Sequence, residues 1–289
     1  MNKVFLKLLP EELEIVEVIL AETEQTRWVI EKNDGQCLLC GYFEEDFQNS
    51  WKNLQKQIPI LAEKTLNCEI IRDCDWQNEY KKYLQPFNIG PLHVVPVWER
   101  AVYGVPENQF AIYLDAEMAF GTGAHETTKL CLARLVEYRN LFVKDLFLKE
   151  VIDVGCGSGI LSIAAAKLGF KAVYGFDIDP DAVKISEKNA TENDVSSVEF
   201  KVAAINEGIL GRQTDFIIAN VLASVLVAHA PLLVNTVKKY GALSLGGILV
   251  EEIEAVQATF IPLVKHHWNA FFTNAKSLGQ WAEIVYVRT

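Results

Sequence analysis

Positive charge is scarce in this 289-residue sequence: 27 Lys and Arg stand against 38 Asp and Glu, for a formal net charge of -11. Binding nucleic acid by neutralising phosphates demands a basic patch, so no direct nucleic-acid contact is expected. Long apolar runs are missing too. Residues 1 to 10 have neither a sustained apolar core nor a small-residue cleavage site, so no signal peptide is expected. The longest uncharged stretch, 216 to 237, is interrupted by Asn220, Ser224, His229, Pro231, Asn235 and Thr236. It reads as a buried strand, a turn and a helix packed on a sheet rather than as a membrane span. A soluble, cytoplasmic monomer is the expectation.

Cysteine is sparse and scattered: Cys37, Cys40, Cys68, Cys74, Cys131 and Cys156. Cys37 and Cys40 form a C-x-x-C, but Cys68 and Cys74 are spaced too widely for the second half of a usual zinc site. The C-x-x-C also lies in a strand-like run. Ordinary buried thiols in a reducing compartment are expected, and no metal.

Half of the residues are hydrophobic, enough for one large core or two modest ones. The first 75 residues hold 8 basic and 15 acidic side chains, an asymmetry that attracts basic proteins at long range. Periodicity predicts strand 3–8, helix 10–23, strands 26–31 and 36–42, helix 44–57 and strand 67–72, the βαββαβ order of a ferredoxin-like unit. A helix over 74–85 follows, then an extended segment whose two prolines exclude it from the middle of a sheet. Residues 1–73 are thus a first domain, 74–98 a linker, and 99–289 a second domain. There strands at 150–154, 171–177, 197–202, 214–219 and 245–251 alternate with helices at 159–168, 180–193 and 222–239. That alternation is a doubly wound, mostly parallel α/β sheet, which binds ligands at the carboxyl ends of its strands.

The sharpest motif is VIDVGCGSGILSIAAAKLG at 151–169, an apolar strand running through a glycine-rich turn into a helix. Gly155, Gly157 and Gly159 allow close backbone approach to a ligand, and Asp153 stands two residues ahead of them. A dinucleotide fingerprint would need glycine where Ile160 stands, and no phosphate-binding P-loop motif exists. Asp177 closes the next strand 22 residues after Gly155, where a carboxylate reaches both hydroxyls of a ribose; alone, an Asp at this place is as often a helix cap. In MAFGTGAHETT at 118–128, His125 and Glu126 lack the second histidine of a zincin, since Lys129 occupies its place. Asn220 ends the strand beside the glycine turn, where an amide can accept a hydrogen bond from an amine.

Together with DWQNEYKKYLQPFNIG, VVPVWE, GFDIDPDAVKISEKNA, NVLA and QWAEIVYVRT, these segments resemble the ribosomal protein L11 methyltransferases (PrmA). The resemblance implies a ferredoxin-like domain that grips a basic ribosomal protein of the large subunit. It further implies a class I (Rossmann-like) methyltransferase domain that uses S-adenosylmethionine. By position, Thr128, Gly155, Asp177 and Asn220 look like cofactor contacts, with Ile178 beside Asp177 and with Phe120, Gly121 and Thr122 in a loop over the methionine end. The implied reaction is direct in-line methyl transfer to lysine or N-terminal amines, with Asn220 orienting the amine and no general base nominated. The rivals are transfer to another protein lysine, to a glutamine amide or to a small molecule, and a binding module without turnover. Glutamine-modifying relatives carry N-P-P-Y where this chain has Asn220, Val221, Leu222 and Ala223.

Overall fold

The computed structural model describes residues 2–22, 28–33, 36–43, 47–62, 64–70, 85–114, 125–141 and 144–289. The chain divides into two compact units, Met1–Tyr83 and Leu84–Thr289. The expected helix at 74–85 falls almost wholly outside the described residues, as does Cys74.

The first unit contains β1 (Asn2–Leu8), α1 (Pro10–Glu22), β2 (Trp28–Asn33), β3 (Gln36–Phe43), α2 (Gln48–Gln57) and β4 (Asn67–Ile70). Its sheet is antiparallel in the order β2-β3-β1-β4, which is the ferredoxin-like arrangement. Alternation puts Val4, Leu6 and Leu8 of β1 and Leu39 of β3 on one face, where they pack with Val16 of α1 and Leu54 of α2. Cys37 and Cys40 are free thiols three residues apart on β3. That spacing turns them to opposite faces of the sheet, where they cannot share a metal. Cys68 is exposed rather than buried.

The second unit opens with β5 (Phe87–Ile89), β6 (Leu92–Pro96) and β7 (Phe110–Leu114), a three-stranded sheet in that order. The proline-flanked segment expected to stay out of a sheet interior is therefore its central strand. The prolines are tolerated because they sit at its ends: Pro91 contributes only its carbonyl, accepting the N–H of Phe110 at 2.8 Å, and Pro96 is the last residue paired with β7.

Then come α3 (Glu126–Leu141), β8 (Glu150–Val154), α4 (Ile160–Leu168), β9 (Ala172–Asp177), α5 (Pro180–Glu192), β10 (Val198–Val202), α6 (Ile205–Gly208) and β11 (Thr214–Asn220). They are followed by α7 (Ala223–Ala228), α8 (Ala230–Thr236), β12 (Val237–Leu249), α9 (Ile253–His267), β13 (Phe271–Leu278) and β14 (Trp281–Arg288). The seven-stranded sheet runs β10-β9-β8-β11-β12-β14-β13, parallel from β10 to β12 and antiparallel at β14 and β13. Strand order reverses beside β8, which sets the crevice for a ligand there. Both faces are apolar. Val151, Phe216 and Ile218 pack with α3 and α4, while Ile152, Ile217 and Ala219 pack with α7, α8 and α9.

The single helix expected at 222–239 is two short ones. Pro231 has no N–H to continue α7, and β12 begins at Val237 instead of 245. Tyr240 at φ 65° lies in the irregular start of that strand, and its KKYG sequence disguises it as a helix end. Among the described residues no helix is long and apolar enough to cross a membrane.

Candidate functional site

At the end of β8 the chain turns through Gly155, Gly157 and Gly159, all at positive φ, into α4. Gly155 has no alternative. At φ +69° a Cβ would also stand 2.5 Å from Val221 Cγ1. Asp177, at the end of β9, fastens this turn. Its Oδ2 accepts the Gly157 N–H at 2.9 Å and its Oδ1 the Asp179 N–H at 3.0 Å. Helix capping falls to Asp179, which accepts the Asp181 N–H at 2.8 Å at the start of α5. Each Asp177 oxygen therefore keeps a lone pair for a further donor.

A cavity of about 590 Å³ opens over these groups, within the usual size for a small-molecule site. Gly155, Gly157, Asp177, Ile178 and Asn220 line it, so the structure brings five of the residues read from the sequence to one place. Ile178 is 74% exposed at its rim. Phe176, Ala203 and Val225 give it apolar surface. Gly159 caps α4 and packs on Ser186 instead of lining the cavity.

Asp153 is also set back. It is fully buried, and its Oδ2 accepts both the N–H and the hydroxyl of Ser162, at 3.0 and 2.6 Å, while Oδ1 has no partner. Burial pushes its carboxyl up to about 7, opposed by the Ser162 hydrogen bonds and helped by the nearby Asp177 charge. Cys156 lies in the turn itself, where burial and then the Asp153 and Asp177 charges keep it a thiol.

Asn220 stands opposite Gly246 in the β11–β12 register, with its buried Oδ1 turned toward that glycine and lacking a hydrogen-bond partner. The next residue, Gly247 at φ +77°, lines the cavity. A Cβ there would come 2.3 Å from the Val221 carbonyl oxygen, so glycine lets β12 close on the segment after Asn220. Thr128, in the first turn of α3, is 1% exposed and its hydroxyl is also unpartnered; its neighbour Thr127 is the one that lines the cavity. Phe120, Gly121 and Thr122 lie outside the described residues.

Sequence reasoning missed several lining residues: Thr127, Asn206, His229, Gly247 and Trp281. His125, the incomplete zincin histidine of the sequence, lines the cavity and meets Trp281 edge-on, with ring centroids 4.9 Å apart. A polar or aromatic residue at the end of a sheet strand was the available signal for Trp281, which opens β14. Among the described residues no cluster of metal-ligating side chains occurs.

The family described as Ribosomal protein L11 methyltransferase (PrmA) matches residues 10–289. A protein named ribosomal protein L11 methyltransferase from Alkaliphilus metalliredigens is 33% identical over 259 residues, covering 86% of this chain and 77% of the relative. One of the same name from Caldicellulosiruptor saccharolyticus is 39% identical over 200 residues, 69% of this chain and 63% of the relative. The crystal structure of a ribosomal protein L11 methylase from Lactobacillus delbrueckii subsp. bulgaricus superposes with a TM-score of 0.61 at 28% identity, over 71% of this chain and 99% of that one. The match takes in nearly the whole sequence, and the chain belongs to the ribosomal protein L11 methyltransferase (PrmA) family.

Proposed function

We propose that this chain methylates amino groups of ribosomal protein L11, lysine side chains or the N-terminal amine, with S-adenosylmethionine as donor. The observation that carries the reading is the cavity at the carboxyl ends of β8, β9 and β11, where the glycine turn, Asp177 and Asn220 meet.

The residues present fit that donor. Phe176, Ile178 and Ala203 offer apolar surface for an adenine ring, and the spare lone pairs of Asp177 suit ribose hydroxyls. The unpartnered oxygens of Asn220 and Thr128 are the kind of buried polar atom that a ligand satisfies. Bound there, the cofactor supplies an electrophilic methyl group. The chain's own task is positional: the glycine turn admits close approach, Asn220 orients the acceptor amine, and the apolar walls exclude water. Gly157 belongs to the turn that Asp177 holds, and Gly159 and Asp153 support it from below. By family resemblance, Phe120, Gly121 and Thr122 complete the methionine end.

The acidic first unit is assigned to recognition of the basic ribosomal protein, and the protein to the cytoplasm as a monomer. Incubation with methyl-labelled S-adenosylmethionine and a total ribosomal-protein extract, followed by mass mapping, tests the reading. Label on L11 amines is expected. Label only on glutamine amides or on small molecules would overturn it.

A further inference from the structure

Arg134 of α3 and Glu283 of β14 form an ion pair in which both side chains are buried. Arg134 Nε donates to both Glu283 oxygens, at 3.1 and 3.0 Å, and Nη2 donates to Oε2 at 2.7 Å. Nη2 also donates to Asn274 Oδ1 at 3.2 Å, Nη1 to Glu137 at 2.9 Å, and the Ser244 hydroxyl to Glu283 Oε1 at 2.7 Å. A guanidinium engaged through all three nitrogens fixes direction as well as distance. It adds little to net stability, because an ion pair taken out of water gains about what its desolvation costs, and an apolar pair of similar volume is often as stable.

Its place in the fold gives it a second use. Thr127, Cys131 and Arg134 follow at i, i+4 and i+7 on one face of α3, and Trp281 and Glu283 stand two apart on one face of β14. The pair therefore joins two rows whose far ends, Thr127 and Trp281, both line the cavity. Strand pairing is irregular at this junction: the β12–β14 register shifts between Leu245 and Ile248, beside Glu283, and a shifted ladder fixes β14 less firmly. Cys131 packs on Gly246 in that irregular stretch, where a Cβ would stand 2.5 Å from its sulfur.

We propose that Arg134 and Glu283 are positioning residues for methyl transfer: their pairing holds α3 and the start of β14 in the register that places Thr127 and Trp281 about the acceptor amine. The inference rests on reading the cavity as the methyl-transfer site. In the sheet, β11 and β12 separate β14 from β8 and β9, which carry the glycine turn and Asp177. The wall that the pair controls therefore lies away from the adenosine end and serves the acceptor.

Two variants of the full chain test this. Arg134→Met with Glu283→Leu replaces both charges by apolar groups of similar volume, and its thermal midpoint should stay within about 5 °C of the unchanged protein. Arg134→Lys keeps the charge but loses the planar fork. The double variant should lose roughly 10- to 100-fold in kcat/KM on L11, the cost of misplacing groups by about 1 Å, and Arg134→Lys should lose less. The calorimetric Kd for S-adenosylmethionine should stay within about threefold in both. Fluorine-labelled tryptophan reports on the wall itself: the Trp281 resonance, assigned with Trp281→Phe, should shift in the variants, and those of Trp28 and Trp51 in the first unit should not. Unchanged kcat/KM in both variants, or a loss of activity with the Trp281 resonance in place, would overturn the positioning role. A Kd weakened as much as kcat/KM would also overturn it, by placing the effect on the cofactor. If the double variant does not fold, Arg134→Lys decides on the same readouts. Failure of the unchanged protein to bind S-adenosylmethionine or to label L11 would overturn the cavity reading and this inference with it.

Discussion

Asp153→Asn gives the cleanest measure of what the core tolerates beneath the site. In the folded chain the Asp153 carboxyl is raised from the ordinary 3.8 to about 7, chiefly by burial. Between those two values the folded protein holds a proton that the unfolded chain has released. The group's contribution to stability is therefore complete below about pH 4 and is lost as pH rises through about 7, a total of about 4 kcal/mol. Roughly 2 to 3 kcal/mol of this falls between pH 5 and pH 8. Asparagine does not titrate, and its oxygen can still accept both hydrogen bonds from Ser162, so the change removes the pH dependence and little else. Urea unfolding of both proteins at pH 5, 6.5 and 8 is the assay. The stability difference should move by 2 to 3 kcal/mol in favour of the Asn variant as pH rises, or roughly 5 to 10 °C in thermal midpoint. A difference that stays constant within about 0.5 kcal/mol across that range would refute the reasoning.

Asp177→Ala should weaken S-adenosylmethionine binding by roughly 1.5 to 3 kcal/mol in calorimetry, because the charged acceptor beside the turn is lost; unchanged affinity removes the ribose assignment. Gly155→Ala puts a Cβ at positive φ against Val221 and should lower cofactor affinity by about tenfold or more, whereas a wild-type Kd would mean that the turn accommodates a side chain. Glu283, fully buried, accepts from Arg134 Nε and Nη2 and from the Ser244 hydroxyl. Glu283→Ala strands the Arg134 guanidinium, itself 8% exposed, and should cost about 3 to 5 kcal/mol in denaturant unfolding; a loss below about 1 kcal/mol would show that Glu137 and Asn274 suffice for it. If the acidic first 75 residues attract a basic partner, kcat/KM on L11 should fall as salt rises and the Debye length shrinks below about 10 Å; a flat salt profile counts against that role.

The parts of this architecture that were legible are those fixed by short continuous stretches of chain. The turn from Gly155 to Gly159 is dictated by backbone geometry that only glycine meets cheaply, and Asp177 follows one strand later in a βαβ unit, so motif and fold carry the same information. The first unit was readable because its strands keep one apolar face, as at Val4, Leu6 and Leu8. The second half of the sheet was less readable. The mostly apolar sequence around His229 and Pro231 looks like one helix, and β12 conceals its first residues in KKYG. The cavity wall was least legible, since Thr127, Asn206, Gly247 and Trp281 come from four distant segments that only the tertiary fold unites. His125 was visible as a residue but not as a neighbour of Trp281, because the two are brought together only by the tertiary fold.

These placements bear on how an amine is made ready for methylation. Only the neutral amine has a lone pair, and at pH 7 a lysine of ordinary pKa, about 10.4, costs roughly 4.6 kcal/mol to deprotonate, against about 1 to 1.4 kcal/mol for an α-amine. Asn220 cannot take a proton. Cys156 is held as a thiol, and Asp153 is sealed against Ser162. Among the described residues lining the cavity, Asp177, His125 and His229 are what remain as proton acceptors, with bulk water beside them. Val221, Leu222 and Val225 give the cavity apolar walls, and burial disfavours the ammonium form of an amine that enters it. A lysine drawn into that environment releases its proton more readily than one in water. On the proposed reading, the same desolvation that excludes water from the methyl donor also favours the neutral form of the acceptor amine.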